Sequence, residues 1–199
     1  MLASINPLGE RARRTRWGRT MTWYLLGSAT GGGAIGAVAG ALGYGLHELL
    51  APSRTALAVA VAGVCAVGAA LDLHVGGLAL PTVHRQVNED WLAKYRGWVY
   101  GTGFGFQLGL GVATIVTTAT VYVALALAVV SGSLLGGVVV GATFGVVRAL
   151  PLLAVRAVHD PASISAVLRR AAAWSRRAQV LAVAGLVAVA SVGVATAVA

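Results

Sequence analysis

The chain has 199 residues, 58% of them hydrophobic and only 11% charged, with a formal net charge of +9. Soluble domains carry about 25% charged residues, so this balance excludes an ordinary soluble domain. The charges fall in groups separated by apolar runs of 20 or more residues, long enough to cross roughly 30 Å of hydrocarbon as helix.

The fold class that follows is all-α: a polytopic transmembrane helix bundle of about five spans forming one membrane domain, residues 1–199. Residues 1–21 are a basic segment with Arg11, Arg13, Arg14, Arg16 and Arg19. The first span covers 23–46. It is much longer than the apolar core of a cleaved signal peptide and further spans follow, so we read it as retained. The second span covers 56–78 and holds the single cysteine, Cys65. One cysteine excludes a disulfide framework and a CxxC redox pair within this chain.

A linker at 81–97 follows. Val83, Val87, Trp91, Tyr95 and Trp98 recur there at i+4 or i+3, which predicts an amphipathic helix in the headgroup layer with aromatic anchors. The third span, 98–130, would be about 50 Å long as one helix. Its "TIVTTATV" segment is rich in β-branched residues, which lower helix propensity. Either a long tilted helix or one interrupted near Thr117 and Thr118 is expected; interruptions at the bilayer midplane are typical of transport sites. The fourth span covers 134–155. A second interfacial linker, 159–177, opens with "HDP", in which Asp160 is the expected N-cap and Pro161 the first helical residue. The fifth span covers 178–198.

Placing the N-terminus inside leaves thirteen Lys and Arg in inside segments and only Arg54 outside. That asymmetry predicts an N-terminus inside, a C-terminus outside and both linkers on the inner face, in a multi-pass protein of the cell inner membrane. The basic flanks are then a topology signal facing the lipid bilayer, and no nucleic-acid partner is expected.

The glycine-rich stretch "GTGFGFQLGLG" matches neither GxGxxG nor a P-loop, which needs GK[ST]. Its spacing is four. Gly97, Gly101, Gly105 and Gly109 share one helix face, as do Gly32, Gly36 and Gly40 in span one and Gly137, Gly141 and Gly145 in span four. Small residues at that period let membrane helices approach backbone to backbone, as in a glycine zipper.

Charges inside spans are costly and are functional candidates by default. Asp72 near the end of span two and Arg148 near the end of span four lie at similar depth, and a pairing between them is expected, either as a structural bridge or as a pair that a substrate breaks. In span three Gln107, Thr114 and Thr118 fall on one face away from the glycines. These five are the candidate substrate-binding residues. The histidines match no established ligand spacing, so no metal site, no cofactor and no catalytic residue are expected. No Ser/His/Asp set, HExxH motif or intramembrane carboxylate pair is present, so the chain is not expected to be an enzyme.

The segment "YGTGFGFQLGLGVATIVTTATVYVALALAVVSGSLLGGVVVGATFGVVRALPLL", its basic linker with Trp174 and the final apolar run resemble the second half of DsbD/CcdA-type membrane proteins, of the wider LysE-like transporter superfamily. "YLLGSATGGGAIGAVAGALG" resembles the opening span of the first half. The resemblance implies two related halves around a midplane site on broken helices. The family carries reducing equivalents on a cysteine in each half, next to prolines; here Ala113 and Thr114 stand at the matching position and span one has no cysteine. The resemblance therefore implies the scaffold and not the redox chemistry. The expected function is a permease-like protein moving a small solute or ion. The alternative is a non-transporting membrane subunit or anchor that docks partners through its glycine faces; a homo-oligomer or other membrane subunits are the partners considered.

Overall fold

The computed structural model describes residues 5–75, 91–112, 118–157 and 160–198, and all described regular structure is helical. Helix α1 is Pro7–Ala12, α2 Trp17–Leu50, α3 Arg54–Asp72, α4 Trp91–Lys94, α5 Gly97–Gly109, α6 Thr120–Val130, α7 Leu134–Ala149 and α8 Pro161–Val198, with a 3-10 helix at Leu150–Ala157 between α7 and α8. Local chemistry sets several of these boundaries. Ser53 accepts a hydrogen bond from the Ala56 N–H at 3.1 Å and opens α3. Ser133 accepts from the Gly136 N–H at 3.0 Å and opens α7. Asp160 Oδ1 accepts from the Ser163 N–H at 2.7 Å, with Pro161 as the first residue of α8. Each bond satisfies a first-turn N–H that would otherwise lack a partner.

Among the described residues, four helices are long and apolar enough to cross a membrane: Trp17–Leu50, Arg54–Asp72, Leu134–Arg156 and Ser165–Ala197. The protein is an all-α membrane bundle. Helix α2 is its centre, packed along its length against α5 and α7 and, near its end, against α6. Helix α5 runs parallel to α2, since Gly101 meets Thr20, Gly105 meets Tyr24 and Gly109 meets Ser28. Helix α7 runs antiparallel, with Gly145 against Ser28, Gly141 against Gly32 and Gly137 against Gly36. Helices α3 and α8 form a second, antiparallel layer, joined to the first chiefly through α6. Cys65, Ala69, Val123 and Leu186 make the core of that junction.

Of the two readings left open for 98–130, the structure holds the interrupted one: α5 stops at Gly109 and α6 starts at Thr120. Linker 159–177 and span 178–198, read as separate, are a single helix of 38 residues: no proline follows Pro161, and Ser175 donates back to the Ala172 carbonyl at 2.7 Å instead of capping a break. Of the predicted interfacial helix at 81–97, only 91–97 lie among the described residues. There Trp91 turns inward and stacks on the fully buried Phe104 at 6.0 Å, leaving Tyr95 and Trp98 exposed.

Candidate functional site

The site is the interruption between α5 and α6, halfway along α2. Two chemical problems arise where a helix breaks inside an apolar bundle. The last carbonyls of one half and the first N–H groups of the other lose their partners, and in hydrocarbon each unsatisfied group costs several kcal/mol. The half-helices also leave a partial negative charge at the C-terminus of α5 and a partial positive charge at the N-terminus of α6.

Asp72 and Arg148 answer these problems one apiece. Arg148 Nη1 donates to the carbonyl of Gly111 at 3.0 Å, just beyond the end of α5. Its guanidinium also lies over the Phe144 ring, 5.8 Å from the centroid. Asp72 Oδ1 accepts from the Ala119 N–H at 2.6 Å, just before α6. Cation and anion each meet the helix end of opposite sign. The expected Asp72–Arg148 pairing is therefore not what the structure holds: among the described residues the one ion pair is Arg13–Glu10. The two charges instead serve the two ends of one break.

Gly111 makes the turn possible. Its φ of +73° is left-handed, a conformation that costs little only without a Cβ. An added Cβ would also press on Val121 at 3.0 Å and on Arg148 Nη1 at 3.4 Å. The four-residue glycine period does not include Gly111, so that period could not reveal it.

Asp72 is 2% exposed, and its Oδ2 has no hydrogen-bond partner among the described residues. Its backbone carbonyl accepts from Gln179 Nε2 of α8 at 2.8 Å. A cavity of about 570 Å³ opens beside the break, between α6, α7 and α8, with Arg148, Arg176, Thr118, Thr120, Ser175 and Gln179 on its walls. Thr118 donates to Thr120 Oγ1 at 3.1 Å. A second cavity of about 720 Å³ lies on the other side of Gln179 and touches Asp72, His74 and Arg176.

Of the five candidates, the structure brings Arg148 and Thr118 to one cavity and Asp72 to its neighbour. Gln107 is half-buried on α5, away from both. Thr114 lies outside the described residues. Gln179, Arg176 and Thr120 were missed. Arg176 and Gln179 sit on the stretch read as a surface linker and its junction with the last span, and only the packing of α8 on α3 brings them to the site.

The named glycines lie at helix contacts. A Cβ on Gly32, Gly36 or Gly40 would overlap the backbone of α7, and one on Gly105 or Gly109 the backbone of α2. Gly27, Gly31 and Gly43 also meet partner backbone and were missed, although Gly27 and Gly31 repeat the same spacing one residue out of phase. Ser28 sits where three helices meet, its hydroxyl donating to the Gly145 carbonyl at 2.7 Å. Among the described residues no three His, Cys, Asp or Glu side chains gather as a metal site would need.

The model of the cytochrome C biogenesis protein transmembrane region matches residues 2–193. The chain belongs to that family. The DsbD/CcdA-type resemblance thus extends over nearly the whole of this member. No curated protein and no solved structure matches the chain. As a family member it has one cysteine, Cys65, buried in α3 against Val123 and Leu186. Dithiol–disulfide exchange needs two thiols, so it cannot take place within this chain.

Proposed function

We propose that the chain is a permease-like membrane protein that moves a small anionic solute past the α5–α6 break, with no reaction of its own. The observation that carries this reading is a broken helix whose ends are held by Asp72 and Arg148 beside a cavity with two arginines on its wall. Broken helices whose ends face a midplane cavity are a recurrent way of building solute sites in transporters. Guanidinium geometry suits carboxylate or oxyanion groups, and Thr118, Thr120 and Gln179 add neutral hydrogen-bonding groups. In this reading the N-terminus and the basic end of the bundle face the cytoplasm, in the inner membrane.

Uptake of labelled sulfate, thiosulfate and acetate into proteoliposomes tests it. Flux of at least one anion above protein-free vesicles is expected. Arg148→Gln should lower that flux about tenfold or more, the worth of one lost charge-assisted hydrogen bond. If no anion moves and the chain is stable in mild detergent only with other subunits, the permease reading fails and the docking-subunit reading replaces it.

A further inference from the structure

A cavity of about 980 Å³ lies not at the break but at the opposite end of α5; Arg13, Arg14, Arg16, Arg19, Lys94 and Arg96 line it, with no acidic side chain among the described residues. We propose that this cleft is a binding site for phosphate-bearing anions.

The cleft is built rather than a loose run of surface charge. Glu10 is fully buried beneath it. Its carboxylate accepts from the Thr15 hydroxyl at 2.5 Å, the Thr20 hydroxyl at 2.6 Å, the Tyr100 hydroxyl at 2.5 Å and Arg13 Nη2 at 3.0 Å. Thr20 belongs to α2 and Tyr100 to α5, so one carboxylate ties the N-terminal segment to two helices. The connection from α1 to α2 is thereby held in a tight turn, with Arg14 at a left-handed φ of +56°. The turn sets Arg14 and Arg16 opposite Lys94 and Arg96.

Glu10 forms its ion pair with Arg13 and with no other rim cation among the described residues. Arg14, Arg16, Arg19, Lys94 and Arg96 are exposed and have no acidic partner among the described residues. Five cations around one cavity repel one another unless an anion sits among them. Two helix N-termini add to the field. The N-cap positions of α2 and α5 are Arg16 and Arg96, neither helix has a side-chain cap, and neither has an acidic residue in its first turn. Uncapped N–H groups and helix dipoles of that sign favour phosphate.

The rim identifies where such a ligand would stand. Trp23 and Trp98 pack 6.2 Å apart; Trp98 and Tyr95 are about half exposed and Trp23 about a third. Indole and phenol rings prefer the membrane–water interface, which sets the cleft at headgroup level. Phosphate there comes either from an anionic lipid headgroup or from a soluble phosphate compound.

The experiment measures thermal stabilisation of the intact chain in phosphatidylcholine nanodiscs, with phosphatidylglycerol added to the bilayer in one arm and inorganic pyrophosphate added to the buffer in the other. The test variant is Arg14→Gln/Arg16→Gln/Lys94→Gln. The control, Arg156→Gln/Arg169→Gln/Arg170→Gln, removes the same charge elsewhere on the basic end. Stabilisation in the first arm assigns a lipid headgroup, and in the second a soluble phosphate. In either arm, affinity should fall about fivefold per charge removed, about a hundredfold for the three together, in the test variant alone. No stabilisation in either arm, or an equal loss in test and control variants, overturns the proposal. All six substituted side chains are exposed, so both variants should melt with the parent when no ligand is present; a test variant that does not is replaced by Arg14→Gln/Lys94→Gln.

Discussion

A single carboxylate illustrates how much one residue can organise. Burial raises the pKa of Glu10, but hydrogen bonds from Thr15, Thr20, Tyr100 and Arg13 outweigh it and hold the carboxyl below its ordinary value of 4.5. A folded pKa below the unfolded one stabilises the protein above the unfolded value and loses that contribution as pH falls through the folded one. Glu10→Gln should therefore destabilise the chain by about 2 kcal/mol at neutral pH. In thermal melts, the gap between parent and variant should close as pH drops below 4.5; a gap that stays constant would show that charge is not what matters. Asp72 behaves differently, because its Oδ2 has no partner among the described residues. Asp72→Asn keeps an acceptor for the Ala119 N–H and removes the charge at the start of α6. If Asp72→Asn and Arg148→Gln both retain full anion flux and lose only stability, the two charges are stitches across the break and nothing more.

At the scale of helices, close approach decides what can be substituted. A Cβ on Gly36 would overlap the Gly137 carbonyl, while one on Gly33 would meet only Val138 and Ala142 side chains, at 3.7 Å and 3.8 Å. Gly36→Val should cost about 1–3 kcal/mol by forcing α2 and α7 apart, whereas Gly33→Ala should be neutral within about 0.5 kcal/mol. Equal melting temperatures for the two would contradict the packing described. The four-residue period pointed to these contacts because helical geometry alone puts such residues on one face. It could not say that α5 lies parallel to α2 and α7 antiparallel, nor that Gly27 and Gly31 make a second contact line. Those facts depend on which helices are neighbours. The break illustrates the same limit: β-branched residues weakened the helix prior, but the interruption stands where charges from α3 and α7 compensate its loose ends.

For the molecule as a whole, the basic residues of 11–19, 94–96 and 156–170 belong to one end of the bundle, and Arg54 to the other. Single cysteines in a Cys65→Ser background test the sidedness. Glu48→Cys should react with an impermeant maleimide added outside cells, and Arg170→Cys only after permeabilisation. The reverse pattern would invert the proposed orientation.

Composition and spacing by themselves determined the membrane class and the family resemblance, and set the glycines on shared helix faces. These are local or one-dimensional properties: hydropathy and period follow from position along the chain. Only the tertiary structure decided that the two charges face opposite helix ends instead of each other, that Gln179 and Arg176 join them from α8, and that Glu10 gathers the N-terminal arginines into a cleft. Each of those contacts joins residues tens of positions apart, whose meeting is set by how the helices pack.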